Sequence, residues 1–261
     1  MPRRTRRTPC RAPPGHPPAF ERARVPTAMM TARLAWLFDV DGTLLTTEGA
    51  AREAFAEALR EGFGVEDDLA GIAFAGRTDP LILGDIFARH GLAPTPHEEA
   101  RFWDSAFSGV RASLAADRGR LLPGVAALLD AVEAEPGWIM GLLTGNSTQM
   151  ARVKLGHFGL FERFAFGAFG EMAENRDALA RRAVEDIARR WGVPAARCVV
   201  VGDTELDVAC ARAAGARAVA VATGGRTRAE LARVSPDLLL DDLTDPAPLL
   251  AWARALTGAG G

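Results

Sequence analysis

Apolar residues along this chain gather into short runs, separated by longer stretches in which they recur every three or four positions. The runs at Leu34–Phe38, Trp138–Leu143, Phe164–Gly167, Cys198–Val201, Ala218–Ala222 and Leu238–Leu240 are apolar on both faces. Strands of that kind belong to a sheet covered on both sides, the environment of a parallel sheet. The segments between them are long enough for the crossover helices that parallel strands need. The pattern predicts an α/β protein.

One stretch departs from this rhythm. Between about Thr46 and Leu122 no strand pattern occurs, and Ala51–Arg60, Leu81–His90 and His97–Ala115 read as amphipathic helices. Pro94 and Pro96 punctuate one junction, and Pro123–Gly124 marks the return to the strand-bearing part. The expected organisation is a core of residues 33–46 and 122–261, interrupted directly after its first strand by an all-helical insertion, residues 47–121. Residues 1–32 hold seven prolines and the arginines Arg3, Arg4, Arg6, Arg7 and Arg11, with little to bury. They are expected to form an unstructured basic tail, unless translation starts at Met29 or Met30. The paired arginines are not followed by the 7–15-residue apolar stretch of an export signal.

Composition narrows the function. No apolar run approaches the ~18 residues of a membrane span, so no membrane partner is expected. Residues 1–33 carry eight Arg and one Glu, so the other 228 residues carry a net charge of −9. An acidic body argues against a nucleic-acid partner, since binding phosphate backbones calls for a basic face. Cys10, Cys198 and Cys210 form no CxxC and no paired framework. Cys198 and Cys210 are expected in the interior, and a reducing cytoplasm fits. The chain has 31 basic residues, and its only lysine is Lys154.

Three strand ends carry chemistry, and ligands of open α/β sheets bind beyond those ends. The first reads Asp39-Val40-Asp41-Gly42-Thr43. Two carboxylates that close repel each other unless a cation lies between them. A calcium loop starting at Asp39 would need Gly and Glu where Leu44 and Ala50 stand, so that reading fails. The second reads Thr144-Gly145-Asn146-Ser147, where Asn146 is expected to cap the following helix with Gln149 and leave a helix N-terminus suited to an anion. The third reads Gly202-Asp203-Thr204-Glu205-Leu206-Asp207, in which Thr204 caps a helix and Asp207 stands at its third position.

With these three motifs in this order, the chain resembles the haloacid dehalogenase-like hydrolase superfamily, nearest its phosphoglycolate-phosphatase-like branch, over roughly residues 34–250. The resemblance implies a Rossmann-like core, a helical cap, Mg²⁺ as cofactor and a small phosphorylated metabolite as substrate. It implies that Asp39 is the nucleophile and Asp41 the proton carrier. Thr144, with Gly145 and Asn146, would hold the phosphoryl group. Asp39, Asp203 and the Asp41 carbonyl would bind the metal, with Asp207 in support. The family also expects a lysine before the third motif, where this chain has Arg176. Lys154 lies eight residues beyond Asn146, roughly 12 Å up the helix at 1.5 Å per residue. The phosphate-binding cation is therefore assigned to Arg176 and Lys154 to the solvent. On that assignment Arg176→Ala loses most turnover and Lys154→Ala does not.

In the insertion, Gly76-Arg77-Thr78-Asp79-Pro80 marks a turn. There Arg77 either faces the cleft and meets an anionic substrate group, or pairs with Asp79 on the surface. Phe102, Trp103 and Phe107 read as core packing. His90, His97 and His157 show no ligand spacing. A Schiff-base phosphonate hydrolase is excluded, because no Lys precedes residue 154. A dehalogenase has no use for Asp41. The alternatives are a phosphosugar mutase and a non-catalytic phospho-acceptor module. Oligomeric state is not legible.

Overall fold

The computed structural model describes residues 33–258; the proposed tail and Cys10 lie outside them. The core is a six-stranded sheet of β1 (Leu34–Phe38), β4 (Trp138–Leu143), β5 (Phe166–Ala168), β6 (Cys198–Gly202), β7 (Arg217–Val221) and β8 (Leu238–Leu240). Its order is β5-β4-β1-β6-β7-β8, and every pairing is parallel. Each strand found here was expected from its apolar run, with ends shifted by one or two residues. The α/β class, the parallel sheet and its Rossmann-like form are as expected.

Successive side chains of β1 go to opposite faces. Leu34, Trp36 and Phe38 join one buried cluster with α4 (Val125–Glu133) and α9 (Ala247–Gly258), whereas Ala35 and Leu37 join another with α6 (Arg176–Trp191) and α7 (Glu205–Ala213). Both faces are therefore dry, which is why the strands are apolar throughout. Cys198 and Cys210 are buried free thiols in the second cluster, as expected.

Residues between β1 and β4 supply α1 (Ala50–Phe63), α2 (Asp79–Arg89) and α3 (Pro96–Ala115). Phe55, Ile86 and Phe102 form their shared core, with Trp103 and Phe107 packed against it. Met150 and Val153 of α5 (Thr148–His157) enter the same cluster, so the insertion rests on the helix that follows β4. A two-residue antiparallel ladder, β2 (Leu45–Thr46) with β3 (Arg120–Leu121), ties the insertion's exit to its return. Strands of two residues are too short to carry a period, so the sequence shows no sign of them. A short helix, α8 (Arg228–Arg233), places Leu231 in the same buried cluster as α6 and α7. Among the described residues no helix is long and apolar enough to cross a membrane.

Candidate active site

β1 is central, with β4 on one side and β6 on the other. The carboxyl end of β1 is thus where the strand order turns, the position at which open α/β sheets bind ligands. All three motifs leave the sheet there. Asp39 follows β1 directly, and its N–H donates to Val201 O at 3.0 Å. Gly42 turns the chain with φ of 78°, and a Cβ there would lie 2.5 Å from Asp203 Oδ2. Only glycine allows both the turn and that approach.

Carboxylate oxygens of Asp39, Asp203 and Asp207 lie within 4.8 Å of one another, and all three residues are buried. Burial drives the Asp39 carboxyl up to about 7, against the pull of Arg176, with Asp207 and Asp41 adding repulsion. Burial drives Asp203 up to about 8, with Asp207 and Asp39 as the next causes. The Arg176 guanidinium, at the first residue of α6, is buried between them. It pairs with Asp207 and lies 3.6 Å from Asp39 Oδ1. Its Nε–H has no hydrogen-bond partner. Asp207 Oδ2 also accepts from Thr204 N at 3.0 Å and Thr204 Oγ1 at 2.6 Å, the capping arrangement expected for α7. Three ionised carboxylates against one guanidinium leave two excess negative charges, and all the donors are hard oxygens. That set fits one small divalent cation.

These shifts have a consequence for the metal-free protein. A carboxyl raised in the folded state still holds its proton where the unfolded chain has released it near 3.8. Its stabilising effect is complete below that pH and is lost as the pH rises through about 7 and 8. Urea unfolding in EDTA is expected to show stability falling from pH 5 to pH 8.5, with a shallower fall in Asp203→Asn. A parent profile that stays flat over this range would contradict the raised carboxyls of Asp39 and Asp203.

The second motif is arranged differently from expectation. Helix α5 is capped by Ser147, whose Oγ accepts from Met150 N at 3.3 Å, and not by Asn146 with Gln149. Asn146 turns inward instead. Its Nδ2 donates to Asp41 Oδ2 at 2.7 Å and to Thr144 Oγ1 at 2.8 Å. The expected anion site at the α5 N-terminus is also filled from within. Ser147 N donates to Asp79 Oδ2 and Thr148 N to Glu171. Thr144 is fully buried, and its hydroxyl accepts from both Asn146 N and Asn146 Nδ2. The hydroxyl proton is then left to donate to a further acceptor.

Lys154 is the largest correction. It is not a solvated surface residue: its side chain is 3% exposed. Its Nζ donates to Asp41 Oδ1 and Oδ2 at 2.8 and 2.7 Å and to Asn146 Oδ1 at 2.7 Å. The helix starts at Thr148, so Lys154 is only six residues in, roughly 9 Å along the axis at 1.5 Å per residue. Helical side chains lean towards the N-terminus, and a four-carbon stem covers the remainder. All three ammonium protons are committed to protein acceptors. Lys154 holds Asp41, while Arg176, with its unsatisfied N–H, stands by Asp39. The site therefore has two cations with separate partners.

The insertion reaches the site through its turn at residues 76–79. Arg77 does not pair with Asp79; its guanidinium pairs with Asp85. Together they border a surface cavity of about 520 Å³, also lined by Gly71, Ile72, Ala73 and Arg89. Asp79 is buried against Gly145 and Ser147. Of the histidines, His90 bonds Asp67 at 2.8 Å, a packing role. The Asp39–Asp41 motif was legible in sequence. The part played by Lys154 was not, although a lone lysine close behind a strand-end Thr-Gly-Asn was a signal available to find it.

Comparison with known proteins gives the family of the chain. The family described as haloacid dehalogenase-like hydrolase matches residues 35–215. A phosphoglycolate phosphatase of Cereibacter sphaeroides is 33% identical over 69% of this chain and 81% of its own. A fructose-1-phosphate phosphatase of Escherichia coli is 34% identical over 71% of this chain and 94% of its own. The crystal structure of a predicted phosphoglycolate phosphatase from Haemophilus somnus superposes with a TM-score of 0.66, covering 85% of this chain and all of that one, at 20% identity.

Proposed function

Because the chain belongs to the haloacid dehalogenase-like hydrolases, we propose that it is a Mg²⁺-dependent phosphatase of small phosphorylated metabolites, acting through an aspartyl-phosphate. The observation that carries this reading is the meeting of Asp39 with Asp203 and Asp207 at the end of β1, beside an Asp41 held by Lys154 and Asn146.

Asp39, Asp203 and the Asp41 carbonyl would hold the metal, and Asp207 supports them, since Arg176 and Thr204 already occupy its oxygens. Bound there, Mg²⁺ removes the repulsion between a carboxylate nucleophile and a phosphate dianion. The residues do the rest. An Asp39 oxygen bonds to phosphorus as the bond to the leaving oxygen breaks, and Asp41 gives that oxygen a proton. Asp41 then takes a proton from a water, whose oxygen attacks phosphorus and releases phosphate from Asp39. Thr144 donates its free hydroxyl proton to a phosphoryl oxygen, aided by Gly145 and Asn146, and Arg176 offers its fork to the same group. The helical insertion serves as a cap that excludes water during the first step.

The test is a screen of phosphoglycolate, fructose 1-phosphate, nucleotides and p-nitrophenyl phosphate, with Mg²⁺ and with EDTA. Phosphate release with Mg²⁺ and its loss in EDTA are expected. A mutase would release little phosphate and depend on a sugar bisphosphate. A stable phosphoprotein with no release would mark an acceptor module. Repeating the screen on Arg77→Ala reads the part of that residue in selection: a changed order of kcat/KM assigns it there, and an unchanged order leaves it to Asp85.

A further inference from the structure

The turn at residues 76–79 crosses from one half of the site to the other. At one end Gly76 packs against Thr204 and Leu206 of the third motif. At the other, the Arg77 carbonyl lies so close to Gly145 that any Cβ there would collide with it, and Thr78 packs on Gly145 and Gly170. Asp79 completes the seam with two hydrogen bonds in opposite senses. Its N–H donates to Gly145 O at 2.7 Å, and its Oδ2 accepts from Ser147 N at 2.7 Å. The residue is 7% exposed.

A buried carboxylate needs compensation, and here it comes from specific directions. Asp79 is the first residue of α2, and Ser147 is the N-cap of α5, so two helix N-termini converge on one side chain. Lys154 lies near enough to oppose the strong upward push of burial on this carboxyl. The segment Asp79 grips, Gly145 to Ser147, contains Asn146, which bonds both Thr144 and Asp41. A contact at Asp79 is therefore transmitted to the residues that hold the phosphoryl group and the proton carrier.

We propose that Asp79 is a positioning residue: from the insertion it clamps the Thr144–Ser147 loop of the core and so sets the pose of Thr144, Asn146 and, through Asn146, Asp41. This rests on the phosphatase reading for its consequence in turnover but not for the clamp itself. The clamp is read on the resting protein by amide exchange. A neutral amide at position 79 can still accept from Ser147 N, whereas a methyl cannot.

The experiment compares Asp79→Ala and Asp79→Asn with the parent, by hydrogen exchange over residues 144–149 and by kcat and KM. Asp79→Ala is expected to speed exchange at Ser147 and to lower kcat roughly 10- to 100-fold, as a misplaced reacting geometry does, with KM moved less than threefold. Asp79→Asn is expected to recover most of both effects. Unchanged exchange in Asp79→Ala overturns the clamp whatever the activity does. Faster exchange with unchanged kcat overturns the positioning role, as does a loss confined to melting temperature. If Asp79→Ala does not fold, Gly145→Ala displaces the Arg77 carbonyl from the other side. Faster exchange at the Asp79 amide in that variant supports the clamp, and unchanged exchange there overturns it. An inactive parent with a normal exchange response would leave the clamp standing and remove the phosphatase reading instead.

Discussion

Asp39→Asn is expected to lower kcat by roughly 10⁴- to 10⁶-fold, the range seen when a covalent nucleophile is removed. An amide has the shape of the carboxylate but offers no anionic oxygen to phosphorus. The fold should survive, because the change removes one of three crowded carboxylates and not a packing group. Asp39 is held in place by its backbone, through its N–H to Val201 O, and that bond is untouched. Without metal at pH 8, the parent bears the cost of a buried charge on Asp39, whose carboxyl burial raises to about 7, with Asp207 and Asp41 adding repulsion. The variant should therefore melt no lower than the parent under that condition, despite losing the 3.6 Å approach to Arg176. Loss of activity accompanied by loss of fold would say that Asp39 is structural. Activity above about a hundredth of the parent would say that another group attacks phosphorus.

Lys154→Met is the second large effect. A loss of about 10²-fold in kcat is expected, the lower end of what a positioned acid–base group contributes. The ammonium spends its three protons on Asp41 and Asn146, across 113 and 8 residues of sequence. Asp41 is 41% exposed at its side chain, so without Lys154 its carboxylate keeps only the Asn146 Nδ2 bond against turning into solvent. Asn146 loses its acceptor contact at the same time. Because no proton of Lys154 is left for a ligand, KM should change less than threefold. A rise in KM at constant kcat would show instead that Lys154 binds substrate. No change in either would return it to the bystander role that its distance along the helix suggests. Methionine keeps the stem's packing, so the variant reads the charge and not a cavity.

The fold and half of the site could be read before any coordinates. Strands apolar on both faces have one environment that suits them, and the core helices follow from it. Asp39 and Asp203 were legible because each leaves a buried strand in a way that a surface turn does not require, whereas Asp207 reads as an ordinary capping residue and joins the site only through the family resemblance. Distance along the helix axis alone sends Lys154 to solvent; the tilt and reach of its side chain bring it back to the site. Asn146 departs from its local expectation for a related reason. It is a good cap in an apt place, but Ser147 takes that role and the amide serves a partner 105 residues away. Asp79 shows the same limit. Its sequence neighbours describe a surface turn, and only the docking of the insertion on α5 turns it into a buried group. Local rules place elements; contacts between elements distant in the chain decide which polar side chains are drawn inward.

The central claim is that Asp39 carries the phosphoryl group. Mixing the protein with substrate and Mg²⁺, quenching in acid within one turnover, and reducing with borohydride converts an acyl phosphate to an alcohol. Peptide mass spectrometry should then find homoserine at position 39 and, with p-nitrophenyl phosphate, whose leaving group departs without a proton, in larger amount in Asp41→Asn, where hydrolysis of the intermediate is slowed. Reduction at another aspartate, or none at position 39 while substrate is being consumed, would contradict the account.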